Sequence, residues 1–295
     1  MAENKVVHAA QRAAFSVAID AAIKAVRGKG TEHMTEEAVK LINLAEPLLS
    51  KRYKASAFDA ARKFVQDPNG KWMEYAYRAI NEIDPHILKM NVLNLGYEGM
   101  FSGYNYVMEL RKKYDCNMPW ILLFDPTASC NLHCKGCWAA EYGKTLNLTY
   151  EEMDKLVTEG EELGIHWYMC TGGEPMCRKN DLLKLAAAHQ NSVFHLFTNG
   201  TLIDEEFCKE VQKVGNMAFF ISIEGIGDAT DDRRGRAYST SDACNGSDAE
   251  VWTALWYFHL LYESELQGCY KRRVHRHADQ PRRSVQLVLP LYADR

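Results

Sequence analysis

The spacing of hydrophobic residues divides the chain into a helical first part and a second part with a different pattern. In residues 1–115, apolar positions recur every three or four residues, as at Val6, Ala10 and Ala13, which is typical of helices with one buried face. Gly28-Lys29-Gly30 interrupts this pattern. Further helical stretches are predicted at about 52–66, 71–82 and 98–113. We expect this region to form a helical layer that packs on the domain that follows.

The pattern changes at Pro119, where short apolar runs begin to alternate with helical stretches. Residues 120–124 form a continuous apolar run, as buried parallel strands do. Thr149 is the expected N-cap of the first helix in this part. Further strands are predicted at 165–169, 193–197 and 217–223, with helices at 150–163, 181–189 and 204–214. This alternation predicts βαβ units and a parallel sheet, and in such folds the loops after the strands carry the chemistry.

Composition and charge narrow the class of protein. The chain has 295 residues, of which 47% are hydrophobic and 25% charged, as in ordinary globular proteins. A net charge of −4 provides no general basic field for nucleic acid. No apolar run is long enough for a membrane span, and the start lacks the apolar segment of a secretory signal. We therefore expect a cytoplasmic protein whose nine cysteines are reduced and serve metal or redox chemistry more readily than disulfides.

Three cysteines lie close together directly after the first predicted strand. Cys130, Cys134 and Cys137 are separated by three and two residues, so their thiols can converge on one inorganic centre. Zinc usually takes a fourth ligand, which Cys116, Cys170 or Cys177 could provide. A [4Fe–4S] cluster held by three cysteines instead keeps one iron without a protein ligand. That iron can bind a substrate or cofactor, and the residues alone leave both alternatives open.

The loop after the second predicted strand is suited to a ligand. Gly172 and Gly173 are followed by Glu174 and Pro175. Glycines let the backbone approach another group closely, and the carboxylate can accept a hydrogen bond from an ammonium group. Taken alone, this sequence is more often an ordinary turn than a binding site.

The third and fourth predicted strands also end in polar side chains. Thr198 and Asn199 follow the third strand, where they could face a ligand or simply form a turn. Ser222 and Glu224 point to the same face of the fourth strand because strand residues alternate. Arg234 comes ten residues later, either as a partner for an anion or as half of a solvated arginine pair.

Together these motifs resemble the radical SAM superfamily, whose signature is CxxxCxxC after the first strand of a partial (βα)6 barrel. Gly136 replaces the aromatic residue that usually precedes the last cysteine, and Trp138 stands on its other side. The family's GGEP, TNG and SI(D/E)G motifs are similar to residues 172–175, 198–200 and 221–225. The resemblance implies an α/β fold with four strands of this barrel at 116–235, preceded by the helical region.

The resemblance implies two cofactors, a [4Fe–4S] cluster on Cys130, Cys134 and Cys137 and S-adenosylmethionine (SAM). In the family, SAM chelates the open iron, and an electron from the cluster cleaves its sulfonium bond to release a 5′-deoxyadenosyl radical. The implied partners are an electron donor such as flavodoxin or ferredoxin and an unidentified small-molecule or peptide substrate. A nucleic acid or a membrane is not expected as a partner, and no catalytic side chain is assigned.

The resemblance also implies which residues contact SAM. The GGEP loop would hold the amino group of its methionine part, with Glu174 as an acceptor. The loop after the third strand would lie beside SAM. Ser222 and Glu224 would contact the ribose, and Arg234 the carboxylate.

From about residue 236 the strand–helix rhythm stops. Basic runs at 271–277 and 282–283 could form a nucleic-acid-binding tail. We instead predict that 236–295 is a frameshifted and poorly ordered stretch. When the codons are read in the shifted frame, those of Trp252-Thr253 and Trp256-Tyr257 must each give a glycine. The amino-acid sequence that this frame allows has the pattern of a helix, a strand, a helix and a strand. The chain would then be a truncated or inactive copy of a radical SAM enzyme, and a non-catalytic zinc- or metal-binding module is the alternative.

Overall fold

The structure is a computed structural model that describes residues 5–50, 53–67, 70–137, 139, 143, 145–222 and 232–235. The predicted tail at 236–295, Trp138 and Glu224 lie outside the described residues. The first part of the chain is helical, as predicted. Its elements are α1 (Lys5–Val26), α2 (Thr31–Leu49), α3 (Ala55–Val65), α4 (Lys71–Glu82), α5 (Pro85–Val92), a π-helical segment (Leu93–Ser102) and α6 (Gly103–Tyr114).

The stretch predicted as one helix at 98–113 differs from the structure. The π-helical segment and α6 divide it, and α5 precedes it. Asp84 starts α5, because its Oδ1 accepts hydrogen bonds from the backbone N–H groups of His86 (2.8 Å) and Ile87 (3.1 Å). Pro85 follows at the first helical position, where its missing N–H costs nothing.

Buried polar contacts attach α1 to the start of the sheet. Arg12 Nε donates to Glu98 Oε1 at 2.7 Å, and His8 Nε2 lies 2.8 Å from Glu98 Oε2. Arg12 Nη2 also donates to the carbonyl of Gln190, at 3.1 Å. Since Gln190 precedes the third strand, the helical region packs at the amino ends of the strands. The motif loops follow the opposite, carboxyl ends.

Four parallel strands form a sheet in the order of the chain. They are β1 (Leu122–Phe124), β2 (Trp167–Cys170), β3 (Val193–Thr198) and β4 (Met217–Ile221). Each neighbouring pair is parallel, which requires a crossover connection between consecutive strands. The connecting helices are α7 (Tyr150–Glu162), α8 (Lys179–Ala188) and α9 (Glu205–Val214). The prediction of an α/β fold with four parallel strands and a helical region in front is confirmed.

The hydrophobic core lies between the sheet and these helices. Tyr168, Phe194 and Phe219 point from the sheet into the core and are almost completely buried, against Met153 and Leu185 of the helices. Burial of one such side chain stabilises the fold by roughly 1.5–3 kcal/mol. No helix in the described part of the chain has the length and apolar character needed to cross a membrane.

The first of these helices begins where the sequence predicted. Thr149 Oγ1 accepts a hydrogen bond from the Glu152 N–H at 3.1 Å, and the Glu152 carboxylate accepts one from the Thr149 N–H at 2.7 Å. This reciprocal capping box satisfies two backbone donors at the helix start. It also fixes where the chain leaves the cysteine loop and enters α7.

Candidate functional site

The loop after β2 packs directly on the chain that leads into the cysteine loop. The Gly173 N–H donates to the Thr127 carbonyl at 2.9 Å, and the Glu174 N–H donates to the Ser129 carbonyl at 2.8 Å. Gly172 has a φ of +107°, and a Cβ there would lie 2.6 Å from the Thr127 oxygen. A Cβ on Gly173 would overlap the Ser129 carbonyl. Both positions therefore require glycine, because backbone approaches backbone here.

The three cysteines of the motif lie together on this anchored loop. Cys130, Cys134 and Cys137 are free thiols, each partly exposed. Burial raises the pKa of the Cys130 thiol, and the nearby Glu174 carboxylate and the other two thiols raise it further, against the opposing hydrogen bond from Leu132. The Cys130 thiol thus lies in the electrostatic field of the other two thiols, as a ligand of one shared centre would.

Three thiols provide the donor type that an iron–sulfur cluster takes. Among the described residues, no three His, Cys, Asp or Glu side chains lie close enough to hold one metal ion. Thiolates on one zinc ion would be about 3.8 Å apart, from tetrahedral bonds of about 2.3 Å. A [4Fe–4S] cluster binds each thiolate through a different iron, so it takes a more widely spaced set. Three thiols on one short loop match that requirement.

Glu174 is buried and joins the loops after β2 and β3. Its Oε1 accepts hydrogen bonds from Thr198 Oγ1 (2.6 Å) and the Met176 N–H (3.0 Å), and its Oε2 accepts one from the Asn199 N–H (2.8 Å). Burial raises the pKa of Glu174, and these donors and the positive charge of Arg234 oppose the rise. A carboxylate offers about four acceptor positions, so capacity for one further donor remains. The role of Glu174 towards an ammonium group stays a prediction.

The side chain of Asn199 reaches the cysteine loop. Its Nδ2 donates to Asn131 Oδ1 at 2.9 Å, and Asn131 Nδ2 donates to Thr201 Oγ1 at 2.8 Å. The loops after β1, β2 and β3 therefore meet at Asn199, whose N–H binds Glu174. Sequence reasoning assigned no role to Asn131 or Thr201, although each lies directly beside a motif, and only their distance in the folded chain shows the connection.

Ser222 and Arg234 lie around the same edge of the sheet. The Ser222 N–H donates to the Thr198 carbonyl at 2.8 Å, so the pairing of β3 and β4 continues past the strand end. The segment 232–235 lies against the cysteine loop, where the Lys135 N–H donates to the Arg233 carbonyl at 2.9 Å. Arg234 is close enough to Glu174 for its positive charge to lower the pKa of that carboxyl group, against the effect of burial. The predicted contacts of these residues with SAM stay predictions.

A cavity of about 390 Å³ opens between the glycine pair and residues 146–148. Asp125, Ala128, Leu146, Gly172 and Gly173 are among its lining residues. Asp125 follows β1 directly, and burial raises its pKa. The sequence analysis missed this carboxylate, for which its place at the end of a buried strand was the available signal.

Comparison with known proteins finds the same motifs in one superfamily. The sequence model described as "Radical SAM superfamily" matches residues 124–249. The match ends inside the segment predicted to be frameshifted. The Fe-coproporphyrin III synthase of Methanosarcina barkeri is 32% identical over 130 residues, which are 43% of this chain and 32% of that protein. The GTP 3′,8-cyclase of Geobacter sulfurreducens is 31% identical over 107 residues, or 34% of this chain and 32% of that protein.

Solved structures give weaker similarities. Streptococcus suis SuiB bound to precursor peptide SuiA has a TM-score of 0.39 at 16% identity, covering 68% of this chain and 44% of that one. Native anSMEcpe with bound AdoMet has a TM-score of 0.35 at 22% identity, covering 43% and 42%. The match spans about a third of the length of the curated relatives. The superfamily match contains the cysteine loop and the loops after β2, β3 and β4, so residues 124–249 form a radical SAM domain.

Proposed function

We propose that the chain is the core of a radical SAM enzyme that holds a [4Fe–4S] cluster on Cys130, Cys134 and Cys137. The observation that carries the proposal is the meeting of three motif loops at one edge of the sheet. The backbone of Gly173 and Glu174 is bonded to the chain before Cys130. When bound, the cluster would supply the electron that cleaves SAM into methionine and a 5′-deoxyadenosyl radical.

The chain's own residues would bind and orient the cofactors. The glycine pair exposes backbone groups at the cavity wall, which suits the amino group of SAM. Arg234 supplies a positive charge near Glu174, which suits the SAM carboxylate. Thr198 and Asn199 would lie beside SAM, and Ser222 and Glu224 would contact its ribose.

The substrate is proposed as a small molecule or a peptide. The relatives include proteins named for porphyrin, nucleotide and peptide products, such as the PqqA peptide cyclase of Granulibacter bethesdensis. Each of these relatives shares only a segment of 100 to 130 residues with this chain, so the comparison leaves the substrate open. We propose a flavodoxin or ferredoxin as electron donor and the cytoplasm as the location.

The test is anaerobic reconstitution of the chain with iron and sulfide. We expect about four iron atoms per chain, a brown protein with broad iron–sulfur absorption, and SAM binding. Reduction should then release a small but measurable amount of 5′-deoxyadenosine, detected by chromatography. Stoichiometric zinc with no such absorption would instead support the alternative, a non-catalytic zinc module at the same cysteines.

We also propose that residues 236–295 are a frameshift product, so that this chain releases little 5′-deoxyadenosine. Two observations support this proposal: the alternation of strands and helices stops at about residue 236, and the shifted reading frame allows a sequence in which it continues. Sequencing codons 230–245 and beyond the stop tests it, and a chain with the restored frame should cleave SAM faster. The absence of an alternative open frame, or a compact tail that binds nucleic acid, would overturn this part.

A further inference from the structure

Asn131, Asn199 and Thr201 form a closed ring of three side-chain hydrogen bonds. Asn131 Nδ2 donates to Thr201 Oγ1 at 2.8 Å, and Thr201 Oγ1 donates to Asn199 Oδ1 at 2.6 Å. Asn199 Nδ2 donates back to Asn131 Oδ1 at 2.9 Å. The ring joins the cysteine loop to the loop after β3, which are 68 residues apart in the chain.

The donors and acceptors in this ring run in one direction. The single hydroxyl hydrogen of Thr201 goes to Asn199, and its oxygen accepts from Asn131. Both asparagines use one end of the amide as a donor and the other as an acceptor, which determines the amide orientation. Hydrogen bonds arranged head to tail polarise and strengthen one another. Asn131 is exposed, yet both ends of its amide have protein partners.

The ring continues into the buried part of the site. Asn199 is almost completely buried, and its N–H donates to Glu174 Oε2 at 2.8 Å. The backbone of Thr201 is also held in place, because its N–H donates to Asn199 Oδ1 at 2.9 Å. A movement of Asn131 would therefore disturb a chain of contacts that reaches Glu174. The residue directly after the first cysteine is thus connected to the centre of the predicted SAM site.

We propose that Asn131 is a positioning residue that sets the distance between the cysteine loop and the SAM-binding loops before SAM arrives. This inference rests on the proposed function, in which SAM contacts the cluster and the loops after β2 and β3. Loops held in place beforehand lose less conformational entropy when a ligand orders them. Loss of the ring should therefore weaken SAM binding while the thiols still hold the cluster.

The experiment compares full-length, cluster-loaded chains carrying Asn131→Ala, Thr201→Val or both. Thr201→Val removes the hydroxyl at nearly constant size. Iron content is measured first, then the Kd for labelled SAM by anaerobic equilibrium dialysis, and the melting temperature without SAM. Asn191→Ala is the control, because Asn191 is an exposed amide at the opposite edge of the sheet.

We expect each single change to raise the Kd for SAM about 5- to 20-fold, as for the loss of one or two hydrogen bonds. The double change should raise it no more than the larger single change, because both break the same ring. Iron content should stay near that of the unchanged chain, and the control should bind SAM normally. Asn131→Asp keeps the acceptor and loses the donor, so it should reproduce the loss without altering side-chain size.

Two results overturn the inference. Unchanged SAM affinity in Asn131→Ala and Thr201→Val, with or without a lower melting temperature, would show that the ring only stabilises the fold. Fully additive losses in the double variant would show that the residues act separately. If the unchanged chain binds no iron or no SAM, the proposed function fails, and the inference about Asn131 fails with it. This result is distinguishable because it appears before any substitution.

Discussion

The backbone N–H of Asn199 donates to the buried Glu174 carboxylate at 2.8 Å, across 25 residues of sequence. This hydrogen bond holds the loop after β2 against the loop after β3, at the carboxyl ends of the two strands. Since the Glu174 N–H also binds the Ser129 carbonyl at 2.8 Å, the same residue holds the entry to the cysteine loop. The predicted cluster loop and the predicted SAM loops thus form one hydrogen-bonded unit.

Removal of any cysteine of the motif should abolish the cluster. Cys130→Ala, Cys134→Ala and Cys137→Ala each remove one of three thiolates, so iron after anaerobic reconstitution should fall from about four atoms to near zero. Cys116→Ala is the matched control, because Cys116 is exposed and lies outside the loop. Exposure to oxygen should bleach the centre of the unchanged chain. Equal iron in the cysteine variants and the control would contradict the ligand assignment.

An alanine at Gly173 should displace the cysteine loop. Its Cβ would overlap the Ser129 carbonyl, so the free energy of unfolding should fall by about 1–3 kcal/mol, the usual cost of overpacking. Iron uptake should fall with it. Gly96→Ala is the control, since a Cβ there meets nothing within 4 Å. Urea unfolding and iron content measure both effects, and equal behaviour of the two variants would show that the close approach has no role.

The change Glu174→Gln should weaken SAM binding more than cluster binding. The new amide group would face either the Asn199 N–H or the donors on Oε1, and an unmatched hydrogen bond to a charged group costs about 1–3 kcal/mol. The backbone bonds from Gly173 and Glu174 to the cysteine loop remain, so iron content should be nearly unchanged. Glu159→Gln, on the exposed face of α7, controls for the change in charge. Loss of iron together with SAM would mean that Glu174 mainly supports the fold.

The stability of the domain should depend on pH through His189. The hydrogen bond to Glu161 raises the pKa of His189, with smaller support from Asp154 and against the effect of burial. The stabilisation is complete below about pH 6.5, the ordinary histidine value, and is lost as the pH rises through the raised pKa of the folded state. Urea unfolding at pH 6 to 9 should show this loss.

His189→Gln should remove that part of the pH dependence. His86→Gln is the control, because His86 is an exposed histidine on α5.

At the acid end Glu161 acts in the opposite sense: burial raises its pKa, but the hydrogen bonds from His189 and Ser192 outweigh burial and lower it. Its contribution is lost as the pH falls through that lowered pKa. A His189→Gln profile parallel to that of the unchanged chain would contradict the assignment.

Much of the fold was readable from local patterns in the sequence. Short apolar runs predicted all four strands, although their burial differs: β3 is buried along most of its length, whereas β1 leaves Leu123 exposed. Thr149 and Glu152 carry their capping signal within four residues. The spacing of Cys130, Cys134 and Cys137 indicated one centre for the same reason, since three thiols on a short loop cannot lie far apart.

The tertiary structure alone decided how the site is held together. Gly172 and Gly173 admit the close approach of the backbone before Cys130, and Glu174 accepts three hydrogen bonds from its own chain. The hydrogen bond between Asn131 and Asn199 joins residues that are 68 positions apart in the sequence. The hydrogen bond between Arg12 and Glu98 joins residues that are 86 positions apart. Such pairs leave no periodic signal in the sequence, because they depend on which strand ends the parallel sheet brings to one edge. Local propensity determines each element, and only the packing of the elements determines which loops meet.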